Sequence, residues 1–307
     1  MTENPAIPAP AESRCGFVAI VGPTNAGKST LLNRLVGAKV AIVSHKVQTT
    51  RTRITAITLL EQTQIIFVDT PGIFEPKRRL DRAMVAAAWA GADDADVVVL
   101  LIDAKRGLDA AAEGTIARLK ESRRPILLVL NKVDLVRPER LLELTAAANA
   151  RLSFAATFMI SALSGDGVED LKADIAARLP KGPWHYPEDQ LADVPMRQLA
   201  AEITREKLFE RLHQELPYHS TVETEKWTEK ADGSVRIDQV IFVEREGHKG
   251  IVLGRNGATA KAIGAASRHD LEKILERRVH LFLFVKVRPA WTDDPERYRE
   301  MGLDFTK

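Results

Sequence analysis

The sequence is poor in cysteine and has no long apolar runs. Its only cysteine among 307 residues is Cys15, so an internal disulfide framework is excluded and a reducing compartment is expected. No apolar run approaches the roughly 20 residues of a membrane-spanning helix, and residues 97–102 have the length of a strand. Residues 1–13 carry three prolines and no signal-peptide pattern, so we expect a disordered leader there.

A strong net charge is also missing, but the near balance hides a local asymmetry. The formal net charge is +2 over the whole chain. Residues 249–288 alone contain nine lysines and arginines against three acids, a difference of +6. Such a stretch is usually a solvated face, but it also suits a polyanionic partner. The length of the chain predicts two domains.

The most informative stretch is residues 17–30, where a short apolar run leads into Gly-x-x-x-x-Gly-Lys-Ser. This pattern is typical of a phosphate-binding loop, whose backbone N–H groups and helix N-terminus surround a phosphate. Lys28 is expected to reach the β and γ phosphates, and the Ser29 hydroxyl is expected to bind Mg²⁺. The predicted nucleotide-binding residues of this loop are Gly22, Pro23, Thr24, Asn25, Ala26, Gly27, Lys28, Ser29 and Thr30.

Two polar segments further along the chain are candidates for contacts with the γ-phosphate and its Mg²⁺. The loop at residues 44–51 offers Thr49 and Thr50, and Thr52 follows it; Thr50 is the favoured catalytic residue and magnesium ligand among the three. An apolar run then ends in Asp69-Thr70-Pro71-Gly72. Asp69 is predicted to hold Mg²⁺, through water, and the Gly72 N–H to approach the γ-phosphate.

Asn131-Lys132-Val133-Asp134 follows another apolar run and indicates a guanine site. The Asp134 carboxylate can accept two hydrogen bonds from guanine, a donor pair that adenine lacks, so the wrong base would leave a polar group unpaired. Asn131 is predicted to bond the O6/N7 side of the base and the Lys132 stem to pack on the ring. Ser161-Ala162-Leu163 completes the set, with a backbone N–H for guanine O6.

In this order the motifs resemble those of the translation-factor-like GTPases. The resemblance and the alternating apolar and helical stretches predict a doubly wound, mostly parallel α/β sheet with the ligand at the strand ends. Many such GTPases orient the attacking water with glutamine after Asp-x-x-Gly; here that residue is Ile73, so slow intrinsic hydrolysis is expected. Asn25 matches an asparagine of similar potassium-activated GTPases, which makes K⁺ a candidate second cation.

The remainder of the chain predicts a smaller α+β domain. A proline-rich linker precedes a helix, a hairpin of two strands, two helices around Gly254-Arg255-Asn256-Gly257, and a last strand. A Gly-x-x-Gly with a basic residue between two helices resembles the nucleic-acid clamp of type II KH domains, which fits single-stranded RNA better than a duplex. No motif for a DNA groove, such as a zinc finger, appears in the sequence. The predicted RNA-binding residues are Lys249, Gly254, Arg255, Asn256, Gly257 and Lys261.

Together the two parts resemble the Era-like GTPase family over nearly the whole chain. The expected organisation is a leader (1–13), a GTPase domain (14–180), a linker (181–194), a KH domain (195–290) and a tail (291–307). The resemblance implies GTP and GDP with Mg²⁺ as ligands, binding to the 3′ end of 16S rRNA, and a role in 30S subunit assembly. It also implies a cytoplasmic monomer with peripheral association at the inner face of the cell membrane, and no DNA partner.

Two other functions stay open on the sequence. One is a GTPase associated with RNA or tRNA modification, although residues 181–307 contain no cysteine or metal-ligand cluster for such chemistry. The other is a constitutive RNA-binding scaffold in which the nucleotide serves only structure. Equal RNA affinity in the GTP and GDP states would favour the scaffold.

Overall fold

A computed structural model describes residues 13–43, 54–69, 72–73, 76, 79–188, 190, 192, 195–212, 216–289, 291, 295, 298, 303 and 305. The chain divides into two compact units. The first comprises Met1–Ala41, Thr50–Asp193 and Arg299–Lys307, and the second comprises Ile42–Thr49 and Val194–Tyr298. None of the helices within these described ranges is long and apolar enough to cross a membrane.

The first unit is a six-stranded sheet flanked by helices. Its elements are β1 (Arg14–Val21), α1 (Lys28–Val36), β2 (Ile54–Leu60), β3 (Thr63–Asp69), α2 (Arg79–Asp94), β4 (Val97–Asp103), α3 (Ala110–Leu119), β5 (Ile126–Asn131), α4 (Pro138–Asn149), β6 (Ala156–Ile160) and α5 (Val168–Arg178). The strand order is β2-β3-β1-β4-β5-β6, and every neighbouring pair is parallel except β2 with β3. The predicted α/β class and the predicted antiparallel pair are confirmed.

The middle strands of this sheet form the core of the unit. Every residue of β4 and β5 is buried, as expected for parallel strands covered on both faces. Because β1, β3, β4, β5 and β6 run in parallel, their carboxyl ends meet at one edge of the sheet. The phosphate loop follows β1, the predicted segments at Asp69 and Asn131 begin at the ends of β3 and β5, and Ser161 follows β6.

The predicted linker begins by packing on the first unit. Lys181 bridges to Arg14, and the backbone N–H groups of His185 and Tyr186 both donate to Gln64 Oε1, at 2.9 and 3.0 Å. Cys15 lies buried nearby, and burial raises the pKa of its thiol, which keeps it in the protonated, unreactive form.

The second unit is an α+β domain with a three-stranded sheet. Its elements are α6 (Met196–Arg211), β7 (Ser220–Glu229), β8 (Val235–Val243), α7 (Glu246–Leu253), α8 (Ala258–Leu275) and β9 (Val279–Val287). The strand order is β7-β8-β9, with β7 antiparallel and β9 parallel to β8. Ile263 and Leu271 of α8 and Ile203 of α6 are buried in its core. The predicted KH order of elements is confirmed.

Candidate nucleotide and RNA sites

The loop between β1 and α1 has the tight, glycine-dependent backbone that a phosphate cradle requires. Gly27 has a φ of 99°, and a Cβ there would lie 2.3 Å from Asn131 Nδ2. A Cβ on Gly22 would lie 2.2 Å from the Leu101 carbonyl oxygen. Asn25 also has a positive φ, 63°. Larger residues at either glycine would therefore displace the loop.

Lys28 and Ser29 lie at the start of α1, where backbone N–H groups are directed out of the helix. Both side chains are buried, and Lys28 Nζ donates to the carbonyl oxygens of Gly22 and Pro23, each at 2.9 Å. The ammonium group is thus held over the loop. A cationic amine, a hydroxyl and a helix N-terminus around a glycine-lined loop fit a magnesium-bound nucleotide polyphosphate.

Gly72 and Ile73 lie against the phosphate loop. A Cβ on Gly72 would lie 2.8 Å from Thr24 Cγ2 and 3.2 Å from Lys28 Nζ, so only glycine allows this approach. The Ile73 N–H donates to the Gly22 carbonyl oxygen at 3.1 Å, and its side chain belongs to the core of the unit. Ile73 therefore holds the segment in place and offers no group that could orient water.

Asn131 joins two motifs and uses both ends of its amide to do so. Its Nδ2 donates to the Ala26 carbonyl oxygen at 2.8 Å, and its Oδ1 accepts from the Ala162 N–H at 2.9 Å. These contacts use one of the two Nδ2 hydrogens, so the bond from Asn131 to the base stays a prediction. The residue also connects the phosphate loop to the segment after β6.

Lys132 also contacts the phosphate loop. Its Nζ donates to the Asn25 carbonyl oxygen at 2.8 Å and to Asp103 Oδ2 at 2.7 Å. The neighbouring Arg106 donates to the Thr24 carbonyl oxygen at 3.0 Å. Asp103 and Arg106 were not predicted from the sequence. An acid at the end of a buried strand, the argument applied to Asp69, could have drawn attention to Asp103.

The other residues predicted to recognise the base lie at the same edge of the sheet. Val133 and the exposed Asp134 form a 3-10 turn that follows β5, so the Asp134 carboxylate is open to a ligand. Ser161 and Ala162 are buried after β6, and Leu163 is exposed. Arg34 of α1 donates to the carbonyl oxygens of Ala162 and Leu163, which ties that segment to the helix after the phosphate loop.

Several predicted site residues lie outside what the structure describes. They are Thr50, with its alternatives Thr49 and Thr52, together with Thr70 and Pro71. Asp69 is placed by its backbone alone, as the last residue of β3. Ser29 is therefore the one predicted magnesium ligand whose side chain is described. Within the described ranges, no cluster of three His, Cys, Asp or Glu residues is arranged as a metal site.

In the second unit, the Gly-x-x-Gly turn lies between α7 and α8 as predicted. Gly254, Asn256 and Gly257 have φ values of 72°, 53° and 75°. A Cβ on Gly254 would lie 2.2 Å from Thr259 Oγ1, whereas one on Gly257 would meet no described atom within 4 Å. The backbone around Gly257 is thus open to a close approach from outside, as a sugar–phosphate chain requires.

The basic side chains of the predicted clamp are directed to solvent. Arg255 and Lys261 are exposed at the turn and in the first part of α8, and Asn256 is exposed between the two glycines. Lys249, on α7, lies 3.8 Å from Glu246, which is a weak surface ion pair. This arrangement can meet phosphates without first breaking strong internal ion pairs.

These two sites define a class, a phosphate-loop GTPase joined to a KH domain, and two family models match accordingly. Residues 17–132 match a model described as "50S ribosome-binding GTPase", and residues 215–292 match a KH domain. Curated relatives cover nearly the whole chain. GTPase Era of Sinorhizobium medicae is 64% identical over 96% of this chain and 95% of its own length. GTPase Era of Bradyrhizobium diazoefficiens is 62% identical over 100% of both chains.

Two solved structures of Era have the same architecture throughout. Era in complex with MgGDPNP and nucleotides 1506–1542 of 16S ribosomal RNA has a TM-score of 0.90 and 38% identity, covering 94% of this chain and 99% of that one. A single-residue variant of Aquifex aeolicus Era bound to GDP and AlF4⁻ has a TM-score of 0.89 at 38% identity, with the same coverage. The chain belongs to the GTPase Era family, and the protein is a GTPase.

Proposed function

We propose that the protein is a GTP-hydrolysing switch that binds the 3′ end of 16S rRNA through its KH domain and acts in assembly of the 30S subunit. The observation that carries this proposal is the pairing, in one chain, of a preformed phosphate loop and an open Gly-x-x-Gly turn. A relative that matches 94% of the chain holds both a magnesium-bound nucleotide and this RNA. The matched GTPase model names the 50S ribosome, but 16S rRNA belongs to the small subunit.

The chain's own residues divide the work at the nucleotide. The loop amides and Lys28 would bind the phosphates, Ser29 and the predicted Thr50 and Asp69 would hold Mg²⁺, and Gly72 would lie at the γ-phosphate. Bound Mg²⁺ neutralises charge that develops on the transferred phosphoryl group. Ile73 is held in the core and cannot position water, so we expect a slow intrinsic rate that a partner can raise.

Base selection follows from Asp134 and its neighbours. The exposed Asp134 carboxylate would accept both donors of guanine, while the Lys132 stem would pack on the ring and the Ala162 segment would meet O6. Lys132 Nζ is already held by Asn25 and Asp103, so its stem is fixed without a ligand. A fixed stem supports guanine binding at little entropic cost.

The test is RNA binding as a function of the nucleotide. A fluorescent single-stranded RNA matching the 3′ end of 16S rRNA is titrated with the protein carrying a non-hydrolysable GTP analogue, GDP or no nucleotide, at one salt concentration. Tight binding with the analogue alone, lost in Gly254→Asp, is the expected result. Equal binding in all three states would replace the switch with the scaffold hypothesis, since RNA and nucleotide would then be uncoupled.

Three finer expectations belong to the same proposal. K⁺ is a candidate cation at Asn25, and equal hydrolysis rates in Na⁺ and K⁺ would remove it. The family resemblance implies a cytoplasmic monomer that associates peripherally with the membrane. Sedimentation with anionic vesicles tests the membrane association, and light scattering tests the monomer.

A further inference from the structure

Three successive carbonyl groups of the phosphate loop are each held by a side chain from another part of the first unit. Thr24 accepts from Arg106, Asn25 from Lys132 and Ala26 from Asn131, at 3.0, 2.8 and 2.8 Å. The donors follow or end strands β4 and β5. In a trans peptide the C=O and the next N–H point in opposite directions. Each held carbonyl therefore directs the following N–H group, that of Asn25, Ala26 or Gly27, away from its side-chain donor. The Ala26 N–H points to the Pro23 carbonyl oxygen, 3.4 Å away, which also accepts from Lys28 Nζ inside the loop.

Asp103 controls the middle of these three contacts. It is the last residue of β4, directly opposite Asn131 in the register with β5, and its side chain is 9% exposed. Its two oxygens have separate partners. Oδ1 accepts from the backbone N–H groups of Lys105 and Arg106, at 2.9 and 3.3 Å, and Oδ2 accepts from Lys132 Nζ at 2.7 Å.

The Asp103–Lys132 pair is placed where a charge-assisted hydrogen bond is strong. The carboxylate is nearly buried, and the lysine side chain is 31% exposed, so solvent screens the pair only in part. The ammonium group then bridges Asp103 and the Asn25 carbonyl. Asn25 has a φ of 63°, in the left-handed region, and the contact from Lys132 fixes the direction of its carbonyl in that conformation.

We infer that Asp103 is a positioning residue for the nucleotide site. It acts through Lys132, which it orients so that the Asn25 carbonyl stays turned away from the phosphates and the adjoining amides stay turned toward them. This inference rests on the proposed nucleotide site and assigns a function to a residue outside the nucleotide motifs. Arg106, whose backbone Asp103 also fixes, supports the same loop at Thr24.

Asp103→Asn separates the two functions of the carboxylate. An asparagine keeps Oδ1 for the two backbone amides, but it replaces Oδ2 with an NH₂ group that cannot accept from Lys132. Release of fluorescent GDP from the full-length protein is measured by stopped flow in the presence of Mg²⁺. We expect release to be roughly tenfold faster, the usual cost of one hydrogen bond to a charged group.

A matched control removes the same charge elsewhere. Asp174→Asn breaks the exposed ion pair with Arg178 on α5 and is expected to leave GDP release unchanged. The decisive arm is Asp103→Asn made in a Lys132→Met background. Because Asp103 acts through Lys132, the second change should then alter the release rate less than about twofold.

Two results would overturn the inference. One is release from Asp103→Asn within about twofold of the wild type, and the other is an equal acceleration with and without Lys132. If Asp103→Asn does not fold, Arg106→Ala, at a half-exposed side chain, tests the same loop support and must speed release by about threefold or more. Absence of GDP binding by the wild type would instead contradict the proposed function.

Discussion

The two loops that we propose to bind phosphate, the phosphate loop and the Gly-x-x-Gly turn, are built in opposite ways. Both depend on residues with positive φ. The phosphate loop is held by partners 82 to 107 residues away in sequence, at Arg106, Asn131 and Lys132. The Gly-x-x-Gly turn is held locally, by the Gly257 N–H on Gly254 and by the close approach of Thr259.

Because of this difference, we expect the two sites to be sensitive to substitutions in different parts of the chain. The phosphate loop is preorganised, so changes far along the chain should weaken nucleotide binding. The turn presents backbone and exposed cations to a flexible polyanion, so at a fixed nucleotide state the changes that weaken RNA binding should be local ones. Preorganisation suits recognition of one small ligand, whereas an open, basic turn suits a chain that brings its own conformational freedom.

The largest expected effect is at Lys28. Lys28→Ala removes the amine that lies over the loop and is expected to lower the GTP hydrolysis rate by roughly 10²–10³-fold, as for loss of one transition-state donor. Phosphate release under single-turnover conditions measures it. RNA binding without nucleotide should be the same as in the wild type, because the Gly-x-x-Gly turn lies in the other unit. Normal turnover by Lys28→Ala would contradict the assignment of the site.

A substitution at Ile73 tests whether this residue serves packing in the core or the orientation of the attacking water. Ile73→Gln places an amide where the side chain is 9% exposed, and we expect a loss of about 1–3 kcal/mol in stability without faster hydrolysis. Thermal unfolding and single-turnover hydrolysis measure the two effects. Ile73→Val is the control, with a smaller loss of about 0.5–1.5 kcal/mol. A tenfold gain in rate would show that the residue leaves the core when nucleotide binds.

Part of this structure could be predicted from the sequence and part could not. The strand and helix order, the motifs and the Gly-x-x-Gly turn follow from periodicity and local chemistry. The internal role of Asn131 and the pairing of Asp103 with Lys132 do not, because they depend on which strands become neighbours. Only the order β1-β4-β5 brings the ends of these strands together, and that order is a property of the whole sheet.

Arg255 tests the local character of the RNA clamp. Arg255→Ala removes an exposed cation between the two glycines, and we expect RNA affinity to fall several-fold. The slope of log Kd against log salt concentration should decrease by about one, the contribution of one phosphate contact. Anisotropy titrations at several salt concentrations measure both, with Arg123→Ala in the first unit as the control of equal charge. An unchanged salt slope would mean that Arg255 does not meet phosphate.

The smallest expected effect is a pH dependence at His248, in the first turn of α7. Burial, followed by Arg245 and His219, lowers the pKa of this imidazole below 6.5, while Glu244 opposes the shift. The unfolded chain therefore takes up a proton first as the pH falls through 6.5, and stability present above that pH is lost below it. The imidazole is partly exposed, so this loss is at most about 0.5 kcal/mol.

Hydrogen exchange of β8 and β9 amides at pH 7.5 and 5.5 measures this loss of stability, and His248→Gln should show a smaller decrease than the wild type. Equal decreases in both proteins would mean that the folded and unfolded chains protonate His248 alike, so that this residue contributes no pH dependence to stability.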